Sequence, residues 1–244
     1  MGADQMLMLE DVHTYRGRAH VLQGISLNVQ AAEVVCLIGR NGSGKTTTID
    51  SIMGLLPIRS GKIMLQERDI TRLPTHERAR LGMGYAPEDT GIFPDLTVAE
   101  NLSISAWLAA TSRRRQMAAA DTEASSKIFE LFPELSPLMQ RQGLFLSGGE
   151  KKMAAIARAM ALEPSILLLD EAFEGLAPVV VNRFCDAVQR IKAMGISLLI
   201  AESNLMTATK VADRLYAIDR GEIIFEGHPR DVFANEEVMK TIRG

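Results

Sequence analysis

Gly39-Arg40-Asn41-Gly42-Ser43-Gly44-Lys45-Thr46 places three glycines, a lysine and a hydroxyl at the spacing a phosphate cradle requires. Glycine backbone can turn successive N–H groups inward around anionic oxygens, and a following helix N-terminus adds partial positive charge. Lys45 is suited to the β- and γ-phosphates as a mobile point charge, and the Thr46 hydroxyl to Mg²⁺. With Thr47, these residues form the candidate nucleotide-binding segment. A second chemical group is the pair Asp170-Glu171. One carboxylate can hold a metal's hydration shell while the next polarises an attacking water, so Asp170 is assigned to Mg²⁺ and Glu171 to the general-base position. A third is Leu146-Ser147-Gly148-Gly149-Glu150, in which two glycines ahead of a helix expose backbone donors as a second anion-binding terminus. Ser147 and Glu150 also fit a capping box, and the same cap geometry presents those donors.

These groups need particular elements to hold them. The apolar run Val34-Val35-Cys36-Leu37-Ile38 precedes the cradle and a helix-like stretch over 46–55 follows it, the context of a P-loop. Ile166 to Leu169 is a continuous apolar run suited to a buried parallel strand, whose carboxyl end delivers Asp170 and Glu171 to a ligand crevice. Further strands are expected over 6–9, 25–29, 82–87 and 196–201, with a turn at Tyr15-Arg16-Gly17. Ser60 to Leu65 reads as a turn and short strand, and Leu215 to Phe225 as a hairpin turning at Asp219-Arg220-Gly221. Helices are expected over 151–162 and 179–194. From about 97 to 137 the spacing becomes helical, as in Val98, Leu102, Trp107 and Leu108, and reads as an inserted lobe.

The predicted class is therefore α/β: a P-loop core of about 1–90 and 160–244, opening with an antiparallel β part, and a helical lobe of about 91–159. A chain of 244 residues, 47% hydrophobic and 23% charged, can bury a sizeable core. Its net charge of −3 gives no electrostatic case for nucleic acid, and Arg113-Arg114-Arg115 reads as a solvated helix end. Cys36 and Cys185 read as small core residues in a reducing compartment. No stretch approaches the ~20 apolar residues that cross a bilayer, and no secretion signal is expected at the N-terminus. His13, His20, His76 and His228 lie outside the motifs and read as solvated surface groups. Most of the thirteen methionines, such as Met53, Met153 and Met160, sit at helical core spacing.

In order along the chain, these markers resemble the nucleotide-binding subunit of ATP-binding cassette (ABC) transporters. GRNGSGKT resembles the Walker A motif, ILLLDE the Walker B motif, LSGGE the signature, and Gly175-Leu176-Ala177-Pro178 the D-loop. Tyr15 matches the aromatic that stacks on adenine. Within the family, RNGSGKTT, GLLPIRSG, IFPDLTVAENL and EGLAP most resemble importer ATPases for branched-chain amino acids and related amides or urea. The resemblance implies ATP and Mg²⁺ as ligands, and a head-to-tail sandwich in which each P-loop faces the partner's signature. It also implies a homodimer or heterodimer with a second ABC ATPase, docked on integral-membrane permease subunits at the cytoplasmic face and served indirectly by an extracytoplasmic solute-binding protein. Two positions depart from the pattern. Glu88 replaces the usual glutamine after the strand ending at Pro87, a replacement this subfamily often makes, and can still ligate Mg²⁺. Ser203 stands where a switch histidine or glutamine is usual, so it is expected to reach the γ-phosphate through water. That shorter side chain raises an alternative: a catalytically weak, regulatory half of a heterodimer. A soluble ABC protein is the other alternative, but no sustained heptads separate Lys45 from Ser147, and one P-loop means one cassette.

Overall fold

The computed structural model describes residues 5–113 and 127–243. Among these residues there are two sheets. A four-stranded antiparallel sheet has the order β2 (Ala19–Gln30), β1 (Gln5–Arg16), β4 (Ile58–Leu65), β5 (Arg68–Asp69). A six-stranded sheet has the order β10 (Glu222–Gly227), β9 (Arg214–Asp219), β3 (Val34–Ile38), β8 (Ser197–Glu202), β7 (Ile166–Asp170), β6 (Met83–Ala86). All pairings in the larger sheet are parallel except β9 with β10.

Every residue of β3, β7 and β8 is buried, as strands covered on both faces must be. Alternation divides β3 between two cores. Val35 and Leu37 face the antiparallel sheet together with Ile49 and Ile52 of α1 (Lys45–Met53). Val34, Cys36 and Ile38 face the other way, toward α5 (Gly148–Met160), α6 (Pro178–Ala193) and α7 (Leu205–Val211). That second core runs on into the helical region through Val98 and Leu102 of α3 (Val98–Arg113), Leu131 at the end of α4 (127–131), and Phe132. Helix α2 (Thr75–Arg80) precedes β6, and α8 (Glu236–Arg243) is the last described element. Met53, Met153 and Met160 are buried as their spacing predicts.

Several local expectations are corrected. Tyr15 and Arg16 end β1 rather than forming a turn, because the hairpin reverses at Gly17 and Arg18. Ser60 and Gly61 lie inside β4, where Gly61 (φ 93°) fits an irregularity in the pairing with β1 between Glu10 and His13. Trp107 is 60% exposed on α3 instead of packing inward. Cys36 is buried, whereas Cys185 is half-buried against the same core. His76 and His228 are exposed, but His13 and His20 are half-buried. Their ring nitrogens are 3.0 Å apart, and His20 stacks on Tyr15 with centroids 4.3 Å apart. Arg114 and Arg115 of the basic run lie outside the described residues.

Candidate nucleotide site

Parallel pairing puts the carboxyl ends of β3, β8, β7 and β6 side by side. Ile38 is level with Glu202, and Asp170 with Ala201. The loops leaving those ends carry the cradle, Ser203, Glu171 and Glu88, so sheet order alone gathers most of the predicted chemistry. Gly44 (φ 118°) caps α1 in a conformation closed to other residues, and its carbonyl receives the Thr48 N–H and hydroxyl. A cleft of about 430 Å³ opens above this turn, lined by Asn41, Gly42, Gly44, Lys45 and Thr46, with Thr47, Glu88 and Glu171.

Lys45 is only 4% exposed. Its Nζ donates to the carbonyls of Gly39 (2.8 Å) and Arg40 (3.2 Å) and to Ser203 Oγ (2.9 Å), and it pairs with Glu171 Oε1 at 3.0 Å. The lysine is thus held over the loop, with Glu171 as its ionic partner. Glu171 adopts φ 47°, unusual for a side-chain-bearing residue, and its N–H donates to Ala201 O at 2.9 Å. The Ser203 hydroxyl lies 2.6 Å from Glu171 Oε1 and 2.9 Å from Asn41 Oδ1, two acceptors for its single proton. Its backbone N–H donates to Glu171 Oε2 at 3.1 Å. Through both groups Ser203 holds the Glu171 carboxylate directly.

The residues present fit Mg²⁺. Thr46 Oγ1 donates to Asp170 Oδ1 at 3.3 Å, while Asp170 Oδ2 is buried without a hydrogen-bond partner among the described residues. An orphaned carboxylate oxygen beside a hydroxyl is a donor set for a hard cation. Burial pushes Asp170 up to about 6, opposed by the Thr46 hydrogen bond and reinforced by the charges of Glu171 and Glu88. A bound cation reverses that cost. Exposed Glu88 borders Thr46 and Asp170 in an adjoining hollow.

Residues 22–174 match the family described as ABC transporter. The chain belongs to the ABC transporter family. It is 35% identical over 231 residues to the lipopolysaccharide export system ATP-binding protein LptB of Escherichia coli strain K12, covering 94% of this chain and 93% of that one. LptB of Haemophilus influenzae is 36% identical over 232 residues, covering 95% and 93%. Among solved structures, the ADP conformation of MJ1267, an ATP-binding cassette of an ABC transporter, superimposes with TM-score 0.81 at 29% identity, covering 98% of this chain and 99% of that one. An ATP-binding subunit of an ABC transporter gives 0.83 at 26% identity, covering 98% and 100%.

As an ABC ATPase, the chain binds ATP with Mg²⁺ and hydrolyses it as the cassette subunit of a transporter. Its signature stands apart from its own cleft. Ser147 caps α5 in the expected capping box, receiving the Glu150 N–H at 3.4 Å while Glu150 Oε2 receives the Ser147 N–H at 2.7 Å. Ser147 and Gly148 are exposed, and none of Ser147, Gly148, Gly149 and Glu150 lines the P-loop cleft. Tyr15 is 40% exposed and does not line that cleft, although its neighbour Arg16 does. Three residues of the site escaped the sequence reading. Arg16 lines the cleft, bonds Thr47 Oγ1 at 3.1 Å and pairs with Asp50. Lys152 on α5 reaches the carbonyls after β7. Glu202 is buried beneath Ser203. For Arg16, adjacency to Tyr15 was the available signal; the other two depend on tertiary contacts.

Proposed function

We propose that this cassette drives a membrane permease by ATP-dependent closure of a head-to-tail dimer, each P-loop meeting the partner's Ser147, Gly148, Gly149 and Glu150. The observation that carries this reading is the separation just described: one chain holds a complete phosphate and metal cradle, while its second set of anion donors faces outward. Lys45 and the cradle N–H groups bind and orient the β- and γ-phosphates. Thr46, Asp170 and Glu88 would hold Mg²⁺, which would neutralise charge on the phosphate oxygens. Glu171 accepts a proton from the attacking water, and Ser203 orients Glu171. Tyr15 takes the base. ATP bridges both chains and favours the closed form by differential binding; loss of the γ-phosphate releases it.

The helical lobe and the Glu88 loop pass this motion to the permease, which places the chain peripherally at the cytoplasmic face of the membrane. No described helix is long and apolar enough to cross a bilayer. On cargo, the segments 92–102 and 174–178 resemble importers of branched-chain amino acids or related amides, fed by an extracytoplasmic binding protein. The relatives do not support amino-acid transport; their names favour a second reading, lipopolysaccharide export. Co-purification with the permease separates the two cargo readings. The motor itself is tested by two variants. Lys45→Ala is expected to lose MgATP binding. Glu171→Gln is expected to bind MgATP without turnover and to double in mass by light scattering. Unchanged mass in Glu171→Gln with saturating MgATP counts against the sandwich.

A further inference from the structure

We propose that Lys152 is a positioning residue that ties the signature helix to the catalytic glutamate of the same chain. The Lys152 ammonium donates to the backbone carbonyls of Glu171 (2.6 Å) and Glu174 (2.7 Å). Those carbonyls mark the two ends of one turn, closed by the Glu174 N–H on Glu171 O at 3.2 Å. The turn bears Glu171 at its start, in the left-handed region at φ 47°. A side-chain-bearing residue stays there only when its surroundings over-determine it. The Ala201 carbonyl fixes its N–H, Ser203 and Lys45 fix its carboxylate, and Lys152 fixes its carbonyl.

Lys152 also sits five residues past the Ser147 cap, roughly 7 Å along the helix axis. The outward donors at Gly148 and Gly149 are therefore joined to the Glu171 turn by a short, stiff path: one and a half helical turns and a pair of charge-assisted hydrogen bonds. In the proposed dimer those donors touch the partner's nucleotide, whereas Glu171 acts on the chain's own. Lys152 would then let occupancy of one site set the geometry of the other. This second step rests on the sandwich reading; the positioning of Glu171 does not. The ammonium is half-buried, and two carbonyls leave one of its three N–H groups for other partners, so an arginine can keep the contact while a methionine of similar length cannot.

The test measures steady-state hydrolysis by the full chain and its variants across ATP concentration. Lys152→Met is expected to lower kcat roughly ten- to hundredfold, the loss typical of a charged hydrogen bond, with KM for ATP within about twofold and a Hill coefficient moved toward one. Lys152→Arg is expected to restore both. Unchanged kcat in Lys152→Met overturns the proposal. So does a loss that Lys152→Arg fails to restore and that falls equally on kcat, KM and melting temperature, since that pattern is structural damage. Light scattering in the Glu171→Gln background separates the two readings. If MgATP doubles the mass there but Lys152→Met leaves turnover untouched, only the Lys152 link fails. If no dimer forms there, the sandwich and the cross-site step fail, and the kcat result alone judges the positioning role.

Discussion

Glu202 is a carboxylate in a place where charge is costly. It ends β8 fully covered, with Oε1 receiving the N–H groups of Ser203 (2.9 Å) and Asn204 (2.8 Å) and Oε2 left without a partner among the described residues. Burial pushes it up to about 7 and the nearby Glu171 charge adds to this, while the two backbone hydrogen bonds and Lys152 oppose it. The folded state therefore holds a proton between about pH 4.5 and about pH 7 that the unfolded chain has released. Stability contributed by this group is present below that window, falls as pH rises through it, and stays lost above it. Glu202→Gln keeps the acceptor and the shape but cannot ionise. Its stability gain over the native chain, measured by urea unfolding, is expected to be larger at about pH 8 than at about pH 5. An equal difference at both pH values would mean that Glu202 does not titrate in this range. In the sequence Glu202 is merely the polar residue ending an apolar run, and nothing in periodicity tells a covered strand end from a solvated one. Asp170 and Glu171 were legible because their pairing has a chemical meaning; Glu202 acquires its meaning only from what packs above it.

The hairpin between β9 and β10 shows how a remote element sets the cradle. Arg220 (φ 45°) and Gly221 (φ 82°) both take the left-handed conformation of a tight two-residue turn. The Gly221 N–H donates to Ser43 O and its carbonyl receives the Gln23 N–H, each at 2.8 Å, so the turn is wedged between the P-loop and β2. A Cβ at Gly221 would run into the Val21 carbonyl. Gly221→Ala combines backbone strain with a backbone collision, and is expected to cost roughly 2–5 kcal/mol and to raise KM for ATP as Ser43 shifts. Urea unfolding with ATP titration checks it; a cost below about 1 kcal/mol would show that the turn yields freely. Here the sequence was informative, since Asp-Arg-Gly between apolar runs is turn chemistry. The same chemistry misled at Ser60-Gly61, where sheet pairing with β1 absorbs the glycine as an irregularity, and at Tyr15-Arg16, where cross-strand pairing carries β1 well past its expected end at Leu9 and through both residues. Local signals marked which residues bend easily; the partner strand decided which of them did.

At the scale of the whole molecule, ligand binding and association can be separated through stability. ATP that binds only the folded chain stabilises it by about 2.7 kcal/mol at a concentration near 100 times Kd, a rise of roughly 5–10 °C for a chain of this size. If each nucleotide also joins two chains, the rise must grow further with protein concentration, because dimerisation draws on the same folded pool. Glu171→Gln, which is expected to keep ATP intact, is the background in which to see this. Gly148 offers the selective probe: it is exposed at the start of α5, and a Cβ there would meet nothing within 4 Å. Gly148→Asp should therefore leave the chain's own fold and its own P-loop undisturbed while setting a negative charge against the partner's γ-phosphate. Calorimetry of Glu171→Gln with MgATP is expected to show melting temperatures that climb with protein concentration. Adding Gly148→Asp is expected to keep the nucleotide-induced rise and abolish its dependence on protein concentration. Were the dependence to survive Gly148→Asp unchanged, the chains would be meeting through some surface other than the signature. The exposed donors of α5 would then have no nucleotide to face.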